Sequence, residues 1–171
     1  MGVGLLLDVF EEIATKIPNI FLYLIGDFRE SEASYFKSKI NELKNAEKIK
    51  VTGYMDHSQV LNFVRHCDIM LYPSLSDGCP NKVLESMFMK KAIIGSNSGG
   101  ISDILENDKD GILIHPYDKT TWVNKIFDLS NNPEMRTQLG LNAYKKVTTK
   151  FIKKNTLNDW INLYRSIGIC I

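Results

Sequence analysis

Two kinds of hydrophobic pattern alternate along the chain, and this alternation restricts the fold more than any other feature. Short continuous apolar runs, such as residues 20–26, have the length and composition of buried strands. The segments between them, such as residues 35–45, carry apolar residues at the spacing of a helix with one buried face. Strands that alternate with helices build βαβ units around a parallel sheet. We therefore expect an α/β fold, a Rossmann-like doubly wound parallel sheet with helices on both faces.

The pattern predicts five strands and eight helices. No linker, repeat or low-complexity segment divides them, so residues 1–171 are expected to form a single domain, with residues 151–171 as its C-terminal helical segment. The predicted strands are 20–26, 48–54, 69–74, 92–97 and 111–116, and the predicted helices are 6–17, 35–45, 57–67, 81–90, 101–107, 120–130, 133–151 and 155–167.

Composition excludes several classes of function. A net charge of +1 gives no basic surface for nucleic acid. The three cysteines fit neither a disulfide framework nor a metal site, which favours a reducing, cytoplasmic location. No group of His, Cys and carboxylate residues has metal-ligand spacing, so the sequence itself shows no metal site, and we expect no cofactor. No apolar run reaches the roughly 18 residues of a membrane span.

The loop from the third strand into the next helix, residues 73–81, is the strongest candidate site. In doubly wound sheets, ligands bind beyond the carboxyl ends of the strands. The helix is predicted to begin near Pro80 or Asn81, and its free N–H groups would attract an anion such as phosphate. Gly78 would let the backbone approach a ligand closely.

Two carboxylates flank this helix start, and each has two interpretations. Glu85 lies in a helix that is apolar over most of its surface, so we expect its carboxylate to be buried and to need partners. Those partners are either two sugar hydroxyls or Lys82, three residues earlier. Asp77 is either a helix cap or a ligand carboxylate close to the anion site.

Two further loops reach the same edge of the predicted sheet. Gly99 and Gly100 permit a tight turn after the fourth strand, and the helix that follows again directs its N–H groups at the edge. His57 follows the second strand. A position at the start of a helix, just past Asp56, is a simpler interpretation of this residue than a catalytic role. Cys79 is interpreted as a small loop residue.

Residues 72–118 resemble the donor-binding half of retaining glycosyltransferases with the GT-B fold, in the large glycosyl transferases group 1 family. The similarity rests on Asp77-Gly78, on Glu85 eight residues after Asp77, on Gly99-Gly100 and on the stretch DGILI at 110–114. It extends over about residues 1–167. Members of this family build bacterial capsule, lipopolysaccharide O-chains and related glycans.

The resemblance assigns roles to individual residues. It implies that Glu85 binds the ribose hydroxyls of a nucleotide diphosphate sugar and that Asp77, the catalytic candidate, lies near the donor sugar. The family has a glutamate at both positions, so Asp77 is one methylene shorter. The remaining substrate-binding candidates surround the nucleobase, the diphosphate and the sugar; they are Tyr54, Gly78, Cys79, Pro80, Asn81, Ser98, Gly99 and Gly100.

The resemblance also implies parts that would precede Met1. These are a strand and loop carrying an Arg and a Lys that grip the diphosphate, and an N-terminal domain that binds a glycan or lipid-linked acceptor. In the family the C-terminal helix, here residues 151–171, packs back toward that domain. The strand would be central in the sheet. We expect metal-independent hexosyl transfer, with peripheral association at the inner face of the membrane where the acceptor is lipid-linked. The alternatives are a non-catalytic nucleotide-binding fragment or split-gene remnant, and a GT-B-fold nucleotide-sugar epimerase.

Overall fold

The computed structural model describes residues 2–76, 78 and 80–166, without the side chains of 153–156, 158 and 164. Within this part of the chain, strands and helices alternate as the hydrophobic pattern predicts. The strands are β1 (Leu22–Leu24), β2 (Ile49–Val51), β3 (Ile69–Tyr72), β4 (Ala92–Ser96) and β5 (Ile112–Ile114). The helices are α1 (Gly2–Lys16), α2 (Glu30–Asn41), α3 (His57–His66), α4 (Asn81–Phe88), α5 (Gly100–Ile104), α6 (Lys119–Asn131), α7 (Pro133–Lys150) and α8 (Lys153–Ser166), with a 3-10 turn at Ala46–Lys48.

Each predicted strand and helix is present, although the strands are shorter than the apolar runs. Glycines account for the ends of the first two strands. Gly26 and Gly53 have φ angles of 110° and 71°, which a strand cannot contain, so β1 and β2 end before them. Ile167, the last residue of the predicted final helix, lies outside the described residues.

All five strands are parallel, but they form two sheets rather than one. β1 pairs with β2, while β4 lies between β3 and β5. Leu71 of β3 packs against the core of both sheets, so β3 is the strand of the larger sheet nearest the smaller one. Among the described residues, neither β1 nor β3 has a second strand partner. The division between the two sheets therefore falls between β1 and β3.

The larger sheet carries helices on both faces, as the doubly wound fold requires. β4 is buried along its whole length, and its side chains alternate between two clusters. Ile94 packs with residues of α1 and α6, whereas Ile93 packs with residues of α4, α5 and α7. The fold class predicted from the sequence is therefore confirmed.

Helix α1 joins the two sheets. Leu6, Val9 and Ile13 pack on the larger sheet together with α6. The neighbouring positions Leu7 and Phe10 pack with α2 and the smaller sheet. Two adjacent stripes of one amphipathic helix thus connect the sheets without any strand pairing between them.

The division into two sheets leaves apolar surface exposed. Every residue of β3 is partly exposed, in contrast to the buried β4. Tyr23 in β1 and Val51 in β2 are exposed as well. The exposed side chains of Leu157, Trp160 and Leu163 lie on α8. That residues 151–171 contact an N-terminal domain stays a prediction.

Helix α7 is held to the rest of the domain by a buried ion pair. Lys146 Nζ lies 2.8 Å from Asp110 Oδ2, and the two side chains are only 15% and 4% exposed. The backbone N–H of Glu106 donates to Asp110 Oδ1 at 2.7 Å. Asp110 therefore links α7 to the turn that leads into β5, and its charge and hydrogen-bonding capacity are both used inside the fold.

Candidate functional site

The candidate site lies at the carboxyl edge of the strands, where four loops begin. The first two loops are joined by a hydrogen bond from the Gly26 N–H to Thr52 Oγ1, 3.1 Å long. The third and fourth are joined by Ser98, whose hydroxyl donates to the Leu75 carbonyl at 2.6 Å. Cross-links between neighbouring loops make this edge a preorganised surface.

Helix α4 begins at the centre of this edge with N–H groups that no described side chain caps. The residue at the cap position is Pro80, which has no polar side chain, and its carbonyl accepts from the Val83 N–H at 2.9 Å. Among the described residues, nothing accepts from the first N–H groups of α4, on Asn81 and Lys82, and such groups are where solvent or an anion binds. The sequence predicts that the helix begins near Pro80 or Asn81, and the structure confirms this start.

The loop before α4 is described only in part. Asp77 and Cys79 lie outside the described residues, so their predicted roles stay predictions. Gly78 is exposed, and a Cβ at this position would meet nothing within 4 Å. Among the described residues no contact requires glycine there, and close approach of Gly78 to a ligand stays a prediction.

Tyr72 fixes α4 to the end of β3. Its hydroxyl donates to the Lys82 carbonyl at 2.7 Å and lies 2.7 Å from the Ser86 hydroxyl. Burial raises the pKa of Tyr72 well above its ordinary value, so the phenol keeps its proton and continues to donate. These two contacts fix the first turn and the middle of α4, and with them the position of Glu85.

Glu85 is the carboxylate nearest the start of α4 among the described residues, and it is not buried. Its side chain is 34% exposed, because α4 buries one face through Val83, Ser86 and Met87 and turns the other to solvent. The expectation that α4 is apolar nearly all round, and Glu85 therefore buried, is wrong. Within the described contacts, the partner of Glu85 is His57 rather than Lys82, with 3.1 Å between Glu85 Oε1 and His57 Nε2.

His57 opens α3, as the sequence analysis expected. Asp56 is the N-cap and forms a capping box with Gln59: its carboxylate accepts from the Gln59 N–H, and the Gln59 side chain accepts from the Asp56 N–H. The contact from His57 to Glu85 was missed. The two residues are 28 positions apart, and only the rule that loops meet at one sheet edge could have indicated it.

The loop after β4 contains a glycine that the backbone requires. Gly99 has φ 55° and ψ −148°, a backbone conformation that residues other than glycine rarely adopt. Gly100 is buried as the first residue of α5. Ser98 uses its hydroxyl within the protein, and whether these three residues border a donor stays a prediction.

Tyr54 lies beside the edge with 87% of its side chain exposed. An exposed aromatic ring can stack on a planar ligand, and the place of Tyr54 near a nucleobase stays a prediction. Among the described residues, no cluster of three or more His, Cys, Asp or Glu could hold a metal ion. No helix in the same part of the chain combines the length and apolar character needed to cross a bilayer.

A second concavity, at the opposite edge, is less suited to a ligand. It lies at the amino ends of β3 and β4, and Lys91 and Arg136 line it. Lys91 Nζ already donates to the carbonyls of Arg65 and Cys67, and Arg136 donates to those of Leu129 and Ser130. Lys91 and Arg136 therefore serve the fold, and the carboxyl edge stays the candidate site.

The capping box of α3 makes an acid-dependent contribution to stability. Hydrogen bonds from the Ser58 hydroxyl and the Gln59 backbone lower the pKa of Asp56 below its ordinary value of 3.8. A lowered folded-state pKa gives stability that is present above pH 3.8 and is lost as the pH falls through the folded-state pKa. We expect Asp56→Ala to lower the Tm by a few degrees at pH 7, and the difference from wild type to shrink below about pH 4.

Thermal melts between pH 7 and pH 2.5 check this prediction. Asp56→Asn is the matched control, since Asn caps a helix as well as Asp but does not titrate. Its Tm advantage over Asp56→Ala should therefore be independent of pH. An Asp56→Ala deficit that stays constant down to pH 2.5 would contradict the account.

The fold and this edge together define a doubly wound α/β domain with a helix start that no described side chain caps and a nearby carboxylate. The family model of glycosyl transferases group 1 matches residues 1–146, and the chain belongs to that family.

Individual relatives agree with this membership. A 2-deoxystreptamine N-acetyl-D-glucosaminyltransferase from Niallia circulans is 26% identical over 165 residues, which cover 96% of this chain and 42% of the relative. The chain thus spans about two fifths of the length of the curated relatives it matches.

Solved structures show the same fold. The C-terminal domain of a glycosyl transferase group 1 family protein, LpcC from Francisella tularensis, superposes with a TM-score of 0.81 at 24% identity, covering 89% of this chain and 80% of that one. TarM from Staphylococcus aureus, in complex with fondaparinux, alpha-GlcNAc-glycerol and UDP, gives a TM-score of 0.85 at 21% identity, covering 95% of this chain and 32% of that one.

Proposed function

We propose that residues 1–171 are the donor-binding domain of a retaining glycosyltransferase. The whole enzyme would transfer a hexose from a nucleotide diphosphate sugar to a hydroxyl of a glycan or lipid-linked acceptor, in the synthesis of a capsule- or lipopolysaccharide-type polysaccharide. The observation that carries the proposal is the partly exposed Glu85 carboxylate, one helical turn from the start of α4, which no described side chain caps. Membership of the glycosyl transferases group 1 family supports it.

The geometry of α4 suits the two polar parts of a nucleotide diphosphate. Asn81 and Glu85 are four residues apart, so they lie on the same face of the helix, about 6 Å apart along its axis. The diphosphate would accept hydrogen bonds from the free N–H groups at Asn81 and Lys82. The ribose is bonded to the diphosphate, and its hydroxyls would donate hydrogen bonds to the carboxylate of Glu85.

The chemical contribution of this domain would be binding, positioning and charge stabilisation. The α4 N-terminus would stabilise negative charge on the departing diphosphate through preorganised N–H groups, without a metal ion. Asp77 would lie near the donor sugar, and Ser98, Gly99 and Gly100 would border it. Tyr54 would stack on the base. The acceptor, and a cytoplasmic or membrane-peripheral location, belong to the proposal for the whole enzyme.

The comparisons favour transfer over the two alternatives. The curated relatives include an N-acetyl-D-glucosaminyltransferase and three proteins named trehalose synthase. A non-catalytic nucleotide-binding module would bind donor without giving a glycan product. An epimerase would release a free epimerised sugar nucleotide, so product analysis of the whole protein separates all three.

Binding by this domain is tested with a thermal-shift panel of UDP-, GDP- and ADP-sugars, followed by calorimetry with the nucleotide that stabilises most. Glu85→Gln should raise the Kd on the order of tenfold, because a ribose contact loses its charge-assisted character. Since Glu85 is partly exposed, the Tm without ligand should change little.

Glu134→Gln is the matched control. It removes the same charge at the exposed start of α7, which lies at the opposite edge, and should leave the Kd unchanged. An unaltered Kd in Glu85→Gln would show that Glu85 is not the ribose contact.

A further inference from the structure

We propose that His57 is a positioning residue that holds the carboxylate of Glu85 in the orientation that binds the donor. The inference rests on the proposed function, because it takes Glu85 as the group that contacts the ribose. It adds a residue from a second helix, α3, to a site otherwise built on the start of α4 and its neighbouring loops.

The contact itself defines which atoms are used. His57 Nε2 lies 3.1 Å from Glu85 Oε1. An ionised carboxylate only accepts hydrogen bonds, so Nε2 must carry the hydrogen and donate. Among the described contacts, Oε2 of Glu85 has no partner in the protein. One oxygen is thus used for orientation while the other remains open to a ligand hydroxyl.

A partly exposed glutamate needs such a restraint. Its long side chain samples several rotamers in solvent, and ordering a side chain on binding costs about 0.5–1.5 kcal/mol, or roughly two- to tenfold in Kd. A donor that meets an already oriented carboxylate avoids much of that loss. The bond from His57 supplies the orientation before the ligand arrives.

The backbone that carries His57 is itself held in place. The capping box of Asp56 and Gln59 fixes the backbone where α3 begins, and Ser58 donates to the same Asp56 carboxylate at 2.7 Å. Further along α3, Val64 is buried, and Phe63 packs on Tyr23 with ring centroids 5.5 Å apart. Glu85 is fixed independently through Tyr72, so the two ends of the contact belong to two anchored helices.

The contact contributes little to the fold. The His57 and Glu85 side chains are 69% and 34% exposed, and ion pairs in that environment add little to stability. A role in stability alone therefore does not account for it, and removal of His57 should change ligand affinity with almost no change in Tm.

The test is calorimetric titration of the full chain with UDP, GDP and ADP, using His57→Ala and His57→Gln. His57→Ala should raise the Kd of the best-bound nucleotide about three- to tenfold. His57→Gln should stay within about twofold of wild type, because the Gln amide nitrogen can donate from nearly the same reach as Nε2. His66→Ala, at the other end of α3 where the imidazole bonds only to the Asn62 carbonyl among the described contacts, is the control and should bind normally.

A double-mutant cycle separates this inference from the proposed function. If His57 acts through Glu85, His57→Ala should have no further effect in a Glu85→Ala background. Equal losses in both backgrounds would mean that His57 contacts the nucleotide directly, which overturns a positioning role. An unchanged Kd in His57→Ala, with weakened binding in Glu85→Ala, overturns the positioning role and leaves the proposed function standing. No loss in Glu85→Ala, or no binding of any of the three nucleotides, overturns the proposed function itself.

Discussion

Asp110→Ala is expected to lower the free energy of unfolding by about 3–5 kcal/mol, the usual loss when one partner of a buried ion pair is removed. The substitution leaves Lys146 charged and almost fully enclosed, 15% exposed, without its counter-ion. It also removes the acceptor of the Glu106 N–H. For a chain of 171 residues this corresponds to a drop in Tm on the order of 10 °C, measurable by calorimetry or thermal melting.

An exposed pair nearby provides the control. Glu106 and Lys109 lie 2.9 Å apart, almost the same distance as the buried pair, but both side chains are more than half exposed. Glu106→Gln should therefore lower the Tm far less than Asp110→Ala does. Equal losses for Asp110→Ala and Glu106→Gln would show that burial does not govern the contribution of these pairs, contrary to the account.

Gly140→Ala is expected to destabilise the domain, although Ala favours a helix over Gly by about 0.5–1 kcal/mol. A Cβ on Gly140 would overlap the carbonyl oxygen and carbon of Lys90, where the backbone of α7 crosses the turn after α4. Lys90 has φ 58° and lies next to Lys91, which is tied to two carbonyls, so this backbone cannot move away cheaply. We expect the overlap to dominate, with a net loss of about 1–3 kcal/mol.

Gly4→Ala makes the same chemical change where there is room. Gly4 lies in α1, and a Cβ there meets nothing within 4 Å. Only the helix propensity should remain, so Gly4→Ala should raise the free energy of unfolding by up to about 1 kcal/mol. Chemical denaturation of the two variants gives opposite signs if the account is right. A stabilised Gly140→Ala would show that α7 and the Lys90 turn are not in contact.

The order of strands and helices could be predicted from the sequence because it depends on local hydrophobic periodicity. Residues 20–26 form a continuous apolar run, and β1 forms inside it. The start of α4 could be placed at Pro80 and Asn81 because a proline after a loop favours the start of a helix, and this preference depends only on the local sequence. The division into two sheets depends on which strands pair, and pairing is a tertiary property that periodicity does not encode.

The environment of Glu85 could not be predicted for the same reason. The apolar residues on each side of Glu85 suggested a helix buried all round, yet the structure exposes Phe88 and Glu85 on the same helix that buries Met87. Which face of an apolar helix meets the core is decided by its packing partners. The contact with His57 required, in addition, that α3 and α4 open at the same edge of the sheet.

The central claim is that a nucleotide diphosphate binds at the carboxyl edge of the strands. The most direct test is amide chemical-shift mapping by NMR during titration of the full chain with UDP, GDP and ADP. We expect the largest shifts to cluster at Tyr54, Asn81, Glu85 and Gly99, with none around Lys91 and Arg136 at the opposite edge. Shifts concentrated at the opposite edge, or an unchanged spectrum with all three nucleotides at millimolar concentration, would contradict the account.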